Sequence, residues 1–154
     1  MRAFFERHLS SATGAAASEA AHDAEAQLAA AALAIELCRA DFEISDDERR
    51  AVERAVQGSL GVPADRTRQL ISLAEQQVRL GTRMHEFAHL IDERFSPPQK
   101  LRVVELLWRI AFADAELKAH EEYLVRKVSE LIHVSREDLE AARFRAREHF
   151  FGGD

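Results

Sequence analysis

The sequence contains an internal repeat, and this repeat limits the folds that the chain can adopt. The segment LAIELCRADFEISDDERRAVERAV, which begins at Leu33, matches LLWRIAFADAELKAHEEYLVRKVS, which begins at Leu106, at an offset of 73 residues. After a one-residue gap Val62 aligns with Val134, and each of these valines comes just before a new helical segment. Repetition at a fixed offset is typical of a structural unit that occurs more than once. We therefore predict two similar halves, each made of three helices joined by short connections.

Local signals along the rest of the chain also favour helices. The chain has only six glycines and three prolines, and it is rich in alanine, leucine, glutamate and arginine, which are good helix formers. In SPPQ, Ser96 is a suitable N-cap, a proline follows at the first helical position, and Gln99 completes a capping box. No segment shows the period-two alternation of a strand. We predict an all-α fold, a compact bundle of about six to seven helices. The predicted helices cover about 19–40, 45–60, 64–80, 83–95, 97–113, 119–133 and a last segment after Ser135.

The length of the chain indicates one folded domain. A chain of 154 residues is long enough to bury a core without disulfide bonds. We expect residues 1–18 to form a short N-terminal helix and a flexible linker, and residues 19–150 to form the single helical domain. The only cysteine, Cys38, excludes an intramolecular disulfide and a multi-cysteine zinc site, and we interpret it as a small buried hydrophobic residue.

The charge and the hydropathy of the chain restrict its partners and its compartment. The formal net charge of −6 argues against a surface that binds nucleic acid. The longest apolar run is far short of the roughly 20 residues that a membrane span needs. The N-terminal stretch also lacks the apolar core of a signal peptide. We therefore expect a cytoplasmic protein that does not bind nucleic acid.

Both copies of the repeat contain the pattern Ala-Asp-x-Glu-(Ile/Leu)-x-x-x-Glu, which we call the acidic corner. Its carboxylates are Asp41, Glu43 and Glu48 in the first copy and Asp114, Glu116 and Glu121 in the second. Because the chain turns between two helices at this point, three carboxylates converge near the helix ends. Clustered carboxylates repel one another unless a cation neutralises them. Ca²⁺ and Mg²⁺ prefer oxygen ligands of this kind, so we predict Ca²⁺ or another divalent cation at one or both corners.

Helix capping is the alternative explanation of the acidic corners. Ser45 and Glu48 have the spacing of a capping box, and acidic residues in the first turn of a helix favour its dipole. Capping therefore explains Glu48 without a metal. In the second copy the position of Ser45 is taken by Lys118, whose side chain cannot accept a hydrogen bond from a backbone N–H. Capping of this form does not account for Glu121, and both explanations stay open.

The segments RADFEISDDE and FADAELKAHEEYLVRKVSELIHVSREDLEAARFRARE resemble the TerB family of tellurite resistance proteins. The resemblance covers about residues 25–148. It implies an all-helical domain of two similar halves, acidic sites for divalent metal, and no enzymatic activity. It also implies association with other proteins in a bacterial stress-response or membrane-linked complex. The corner of the family reads Asp-Gly-x-(Ile/Leu), whereas this chain has Phe42 and Ala115 in place of glycine. Glycine allows the backbone to approach a ligand closely, so we expect weaker metal binding here.

A zinc-protease motif occurs in MHEFAHLID, where His85, Glu86 and His89 form the string H-E-x-x-H. Zinc catalysis needs a third protein ligand and an open coordination position, and no further motif in the chain supplies that ligand. The apolar residues of this segment fall on one helical face: Met84, Phe87, Ala88, Ile91 and Phe95. Both histidines lie at the edge of this face, which predicts an ordinary surface helix. Two alternatives to a metal-binding module remain, a zinc-dependent hydrolase that uses this motif and a metal-free adaptor or co-chaperone-like scaffold.

Overall fold

The computed structural model describes residues 14–38, 44–113 and 118–151. Within these ranges the backbone forms seven α-helices and no strand, which confirms the all-α prediction. The helices are α1 Gly14–Cys38, α2 Asp46–Leu60, α3 Ala64–Arg79, α4 Met84–Arg94, α5 Pro97–Ala113, α6 Ala119–Leu131 and α7 Arg136–Phe151. None of these described helices combines the length and the hydrophobicity that crossing a membrane requires.

The helix positions reproduce the sequence repeat. Helix α2 begins at residue 46 and α6 at residue 119, which is the offset of 73 found in the sequence. Helices α3 and α7 begin at residues 64 and 136, so the one-residue gap is also present. Within the first half α1 packs on α2 and α3, and within the second half α5 packs on α6 and α7. The halves are joined because α5 also packs on α1 and α2, and α4 packs on α1 and α6.

The core is built around α1 and α5, which together carry half of the largest fully buried side chains among the described residues. Trp108 on α5 is fully buried, and its indole N–H donates to the carbonyl oxygen of Leu139 on α7 at 3.3 Å. Its ring stacks on Phe112 with 5.8 Å between the ring centroids. Burying a side chain of this size stabilises the fold by about 1.5–3 kcal/mol or more. Trp108 therefore fastens α7 to α5.

Side-chain caps begin the helices where the sequence predicts them. Ser96 donates its backbone N–H to Oε1 of Gln99 at 2.8 Å, and the hydroxyl of Ser96 accepts the backbone N–H of Gln99 at 3.4 Å. This is the capping box predicted for the SPPQ segment. The hydroxyl of Ser135 accepts the backbone N–H of Asp138 at 3.1 Å in the same way. Both caps satisfy donors that the first helical turn leaves unpaired.

The turns that follow α2 and α6 both use a left-handed residue. Gly61 has φ 67° after α2, and His133 has φ 63° after α6. The left-handed residue ends α6 at Leu131, slightly before the predicted end at residue 133. Nδ1 of His133 lies 3.0 Å from Oδ1 of Asp92, and Nζ of Lys100 donates to the same oxygen at 2.6 Å. Both contacts hold the pKa of Asp92 below its ordinary value, and the hydrogen bond from Lys100 has the larger effect on this pKa.

The first helix begins earlier than the sequence indicated. Helix α1 starts at Gly14, so residues 14–18, which we predicted to be part of a flexible linker, are helical. The physical reason is the run Ala15-Ala16-Ala17, since alanine has the highest helix propensity of all residues. The predicted short helix and the first part of the linker, residues 1–13, lie outside the described residues.

Candidate functional site

A cavity of about 600 Å³ lies where the start of α2, the end of α5 and the start of α6 meet, and we call it the corner cavity. Its charged lining residues are Asp47, Glu48, Arg50, Arg54, Lys118 and Glu121. Glu48 belongs to the first acidic corner and Glu121 to the second. The sequence predicted two corners, and the structure brings one carboxylate of each to the same cavity.

Glu48 is the third residue of α2 and completes the predicted capping box. Its Oε1 accepts the backbone N–H of Ser45 at 2.8 Å, and the hydroxyl of Ser45 accepts the backbone N–H of Glu48 at 3.1 Å. The side chain is half-buried, and its Oε2 makes no hydrogen bond or ion pair within the part of the chain that the structure describes. One oxygen of this carboxylate therefore serves the helix, and the other is available to a ligand.

Glu121 occupies the matching place in α6 and is buried, with 3% of its surface exposed. Its Oε1 accepts the backbone N–H of Lys118 at 3.0 Å. The Lys118 ammonium has no acceptor atom, so only this one of the two capping-box bonds can form. The sequence argument left Glu121 without a structural role, and this bond supplies one. Hydrogen bonding of this kind offsets the cost of burying a carboxylate.

The other predicted ligands, Asp41, Glu43, Asp114 and Glu116, lie outside the described residues, as do Phe42 and Ala115. Among the residues that are described, no group of three or more His, Cys, Asp or Glu side chains is placed to hold a metal ion. The ligand sets proposed for the acidic corners therefore stay predictions.

The corner cavity also contains cations that sequence reasoning missed. Arg50 pairs with Asp47 at 2.7 Å. Arg54 and Lys118 form no ion pair with any residue in the described ranges. The sequence did contain a pattern that could have predicted the two arginines, because the spacing of Asp47, Arg50 and Arg54 places all three on one helical face. These positive charges oppose a divalent cation in the cavity and lower its expected affinity.

Cys38, at the end of α1, lines the corner cavity and is half-buried. The prediction that it is a buried core residue is therefore wrong in part. It packs against the core on one side, while the end of the helix leaves its other side next to the cavity.

The zinc-protease motif lies on the outer face of α4. His85, Glu86 and His89 are all exposed, whereas Phe87 between them is fully buried. His89 Nε2 is paired with the carboxylate of Glu93 one turn further along the helix. Both histidines lie on the exposed surface of the helix, and within the described part of the chain they belong to no group of three side chains placed to hold a metal ion. This is the geometry of the surface helix that the periodicity predicts.

Comparison with known families assigns both halves of the fold to one family. The family profile described as tellurite resistance protein TerB matches residues 27–144, which is most of the chain. The chain belongs to the TerB family. Searches of curated proteins and of solved structures returned no match. The TerB region spans α2 to α6 and parts of α1 and α7, so it includes both acidic corners and the whole lining of the corner cavity.

Proposed function

We propose that this TerB-family chain is a non-enzymatic module that binds one divalent cation, Ca²⁺ or a similar ion, in the corner cavity. In the loaded state it binds another protein of a bacterial tellurite-resistance-type stress system. The observation that carries the proposal is the position of Glu48 and Glu121. These residues come from different repeats, and they line one cavity.

Calcium chemistry suits the groups that meet there. Ca²⁺ takes six to eight oxygen ligands, which carboxylates, backbone carbonyls and waters provide. Glu48 and Glu121 would contribute one carboxylate from each repeat. The remaining acidic residues of the two corners, Asp41, Glu43, Asp114 and Glu116, are the proposed additional ligands. Their carboxylates follow the ends of α1 and α5, which border the cavity at Cys38 and Ala113.

The affinity for the cation should be modest. Arg54 and Lys118 bring positive charge into the cavity, and Phe42 and Ala115 replace the glycines of the family pattern. Without those glycines the backbone carbonyls of the corners approach a bound ion less easily. A cation that binds only at elevated concentration suits a module that responds to a change in ion level.

The proposal is tested by titrating chelator-treated protein with CaCl₂ in a calorimeter. Glu121→Gln removes the charge of the cavity carboxylate but keeps an oxygen that can cap α6. We expect it to weaken calcium binding by about tenfold or more, which corresponds to about 1.4 kcal/mol. Glu122→Gln is the matched control, because Glu122 is the next residue, is paired with Arg126 and does not line the cavity.

Two results would support the metal-free adaptor instead. One is the absence of any calcium-dependent heat at millimolar concentrations. The other is an equal loss of affinity in Glu121→Gln and Glu122→Gln, which would indicate nonspecific screening of surface charge. If calcium does bind, the interaction with a protein partner should depend on calcium and should be lost in Glu121→Gln but kept in Glu122→Gln.

A further inference from the structure

A second cavity, of about 470 Å³, lies between the end of α2, the first half of α5 and α7, and we call it the arginine cavity. The end of α2 lines the arginine cavity with Gly58 and Ser59, and the first half of α5 forms the facing wall. The corner cavity lies at the opposite end of the contact between these two helices. Its polar lining residues on α5 and α7 are Arg102, Glu105 and Arg145.

Positive charge exceeds negative charge around the arginine cavity. Glu105 is shared between two arginines, since its Oε1 lies 3.3 Å from Nη2 of Arg109 and its Oε2 lies 3.4 Å from Nε of Arg145. Arg102 makes no ion pair or hydrogen bond within the described ranges. Two guanidinium groups thus share one carboxylate and a third, that of Arg102, is unpaired, which leaves two positive charges without a counterpart among these four side chains.

Two buried donors next to this charge have no hydrogen-bond partner among the described residues. One is the hydroxyl of Ser59, a residue that is only 5% exposed, and the other is Nε of Arg109. The second repeat has the fully buried Ile132 at the position of Ser59, so the fold accepts an apolar side chain there. Buried polar groups in native proteins are normally paired, so an orphan hydroxyl on Ser59, which lines the cavity, points to a ligand that supplies an acceptor.

Gly58 provides the space in which Arg109 lies. A Cβ atom at this position would be 2.5 Å from Nη1 of Arg109, so any other residue would move the guanidinium group. Gly58 lies in the last turn of α2, and glycine is a poorer helix former than alanine. A glycine that makes room for Arg109 and a serine with an unpaired hydroxyl therefore lie side by side in the cavity lining.

We propose that the arginine cavity binds the phosphoryl group of a phosphate monoester. A phosphoryl group is close to a dianion at neutral pH, which matches the two unbalanced positive charges. Its three oxygens can accept hydrogen bonds from Ser59, Arg102 and Arg145, which all line the cavity. Arginine binds a phosphoryl group and a carboxylate alike through two parallel N–H donors, so the second negative charge of the phosphoryl group is what favours it here over a monoanion.

The test uses inorganic phosphate as the probe and follows its titration by NMR or calorimetry at constant ionic strength, with acetate as the monoanionic comparison. Wild-type protein should bind phosphate more tightly than acetate. Arg102→Gln should weaken phosphate binding by about tenfold, a typical loss for one charge-assisted contact. Arg66→Gln should leave it unchanged, because Arg66 is an exposed arginine without an ion pair in the described ranges, and it lies outside the cavity.

Gly58→Ala gives a second test that does not endanger the fold, since alanine favours the helix. It should displace Arg109 from Glu105, which also holds Arg145, and so disturb the cavity lining and weaken phosphate binding. Equal binding of phosphate and acetate, equal effects of Arg102→Gln and Arg66→Gln, or unchanged phosphate binding in Gly58→Ala would each overturn the proposal. The corner cavity uses different residues, so the calcium experiment and the phosphate experiment can fail independently of each other.

Discussion

Replacing Ser59 by alanine should make the protein more stable, although Ser59 lies in the core. The hydroxyl of Ser59 is buried and has no hydrogen-bond partner among the described residues. In the unfolded chain the same hydroxyl is hydrogen-bonded to water. Folding therefore removes those bonds and does not replace them, and Ser59→Ala eliminates this loss.

The expected gain follows from two contributions. A buried hydroxyl that loses its hydrogen bonds costs about 1–3 kcal/mol. Alanine also has a better helix propensity than serine by at most about 0.7 kcal/mol. The removal of one oxygen atom sacrifices only a few van der Waals contacts, each worth about 0.1–0.2 kcal/mol. We expect the free energy of unfolding to rise by about 1–2 kcal/mol, and Tm to rise by about 2–8 °C.

Urea unfolding in phosphate-free buffer measures this change, and Ser129→Ala is its matched control. Ser129 is a second buried serine, but its hydroxyl donates to the carbonyl oxygen of Val125 at 2.8 Å. Losing that bond costs about 0.5–1.5 kcal/mol, which the better helix propensity of alanine only partly offsets. Ser129→Ala should therefore be neutral or slightly destabilising. If Ser59→Ala destabilises the protein as much as Ser129→Ala does, the Ser59 hydroxyl has a partner and the reasoning is refuted.

Three further predictions concern the fold. Trp108→Ala should lower the free energy of unfolding, measured in urea, by about 3–5 kcal/mol, because it empties a fully buried site and removes the hydrogen bond to Leu139. A loss below about 1 kcal/mol would contradict the packing of α7 on α5. The His133→Gly variant should be more stable than the His133→Ala variant by about 1 kcal/mol in thermal unfolding. Both variants lose the contact with Asp92, but only glycine adopts the left-handed backbone conformation without strain. Equal stability of the two variants would exclude that strain. The lowered pKa of Asp92 means that its carboxylate stabilises the fold above its ordinary pKa and that this contribution disappears as the pH falls through the folded value. Urea unfolding from neutral to strongly acidic pH should thus show a smaller loss of stability in Asp92→Asn than in the wild type, and identical losses would show that the contacts of Asp92 with Lys100 and His133 contribute nothing.

Local signals in the sequence predicted most boundaries of the described helices. Ser96, Ser135 and the capping box at Ser45 each mark a helix start that the structure reproduces. The repeat then predicted the two halves, because a helix order that occurs twice at a fixed offset leaves few other arrangements. The start of α1 was misplaced since a glycine and a serine within an alanine-rich stretch were taken as signs of a linker.

The two cavities were not predictable in the same way. Each depends on the contact between α2 and α5, whose residues are about 50 positions apart in the chain, and no local pattern specifies such a contact. The sequence identified Glu48 and Glu121 but not that they share a cavity. The sequence alone does not show that the hydroxyl of Ser59 is unpaired, because this depends on the residues packed around it. The alignment of Ser59 with the apolar Ile132 of the second repeat is the only indication in the sequence that the position is unusual.

The central claim is that Glu48 and Glu121 act on a single cation. Equilibrium dialysis of chelator-treated protein against CaCl₂ counts the ions bound per chain. A shared site predicts one calcium ion per chain, and it predicts that Glu48→Gln and Glu121→Gln each weaken that same binding event. Two ions per chain, with each substitution removing only one of them, would show separate sites at the two corners, and no bound calcium would leave the acidic corners with a purely structural role.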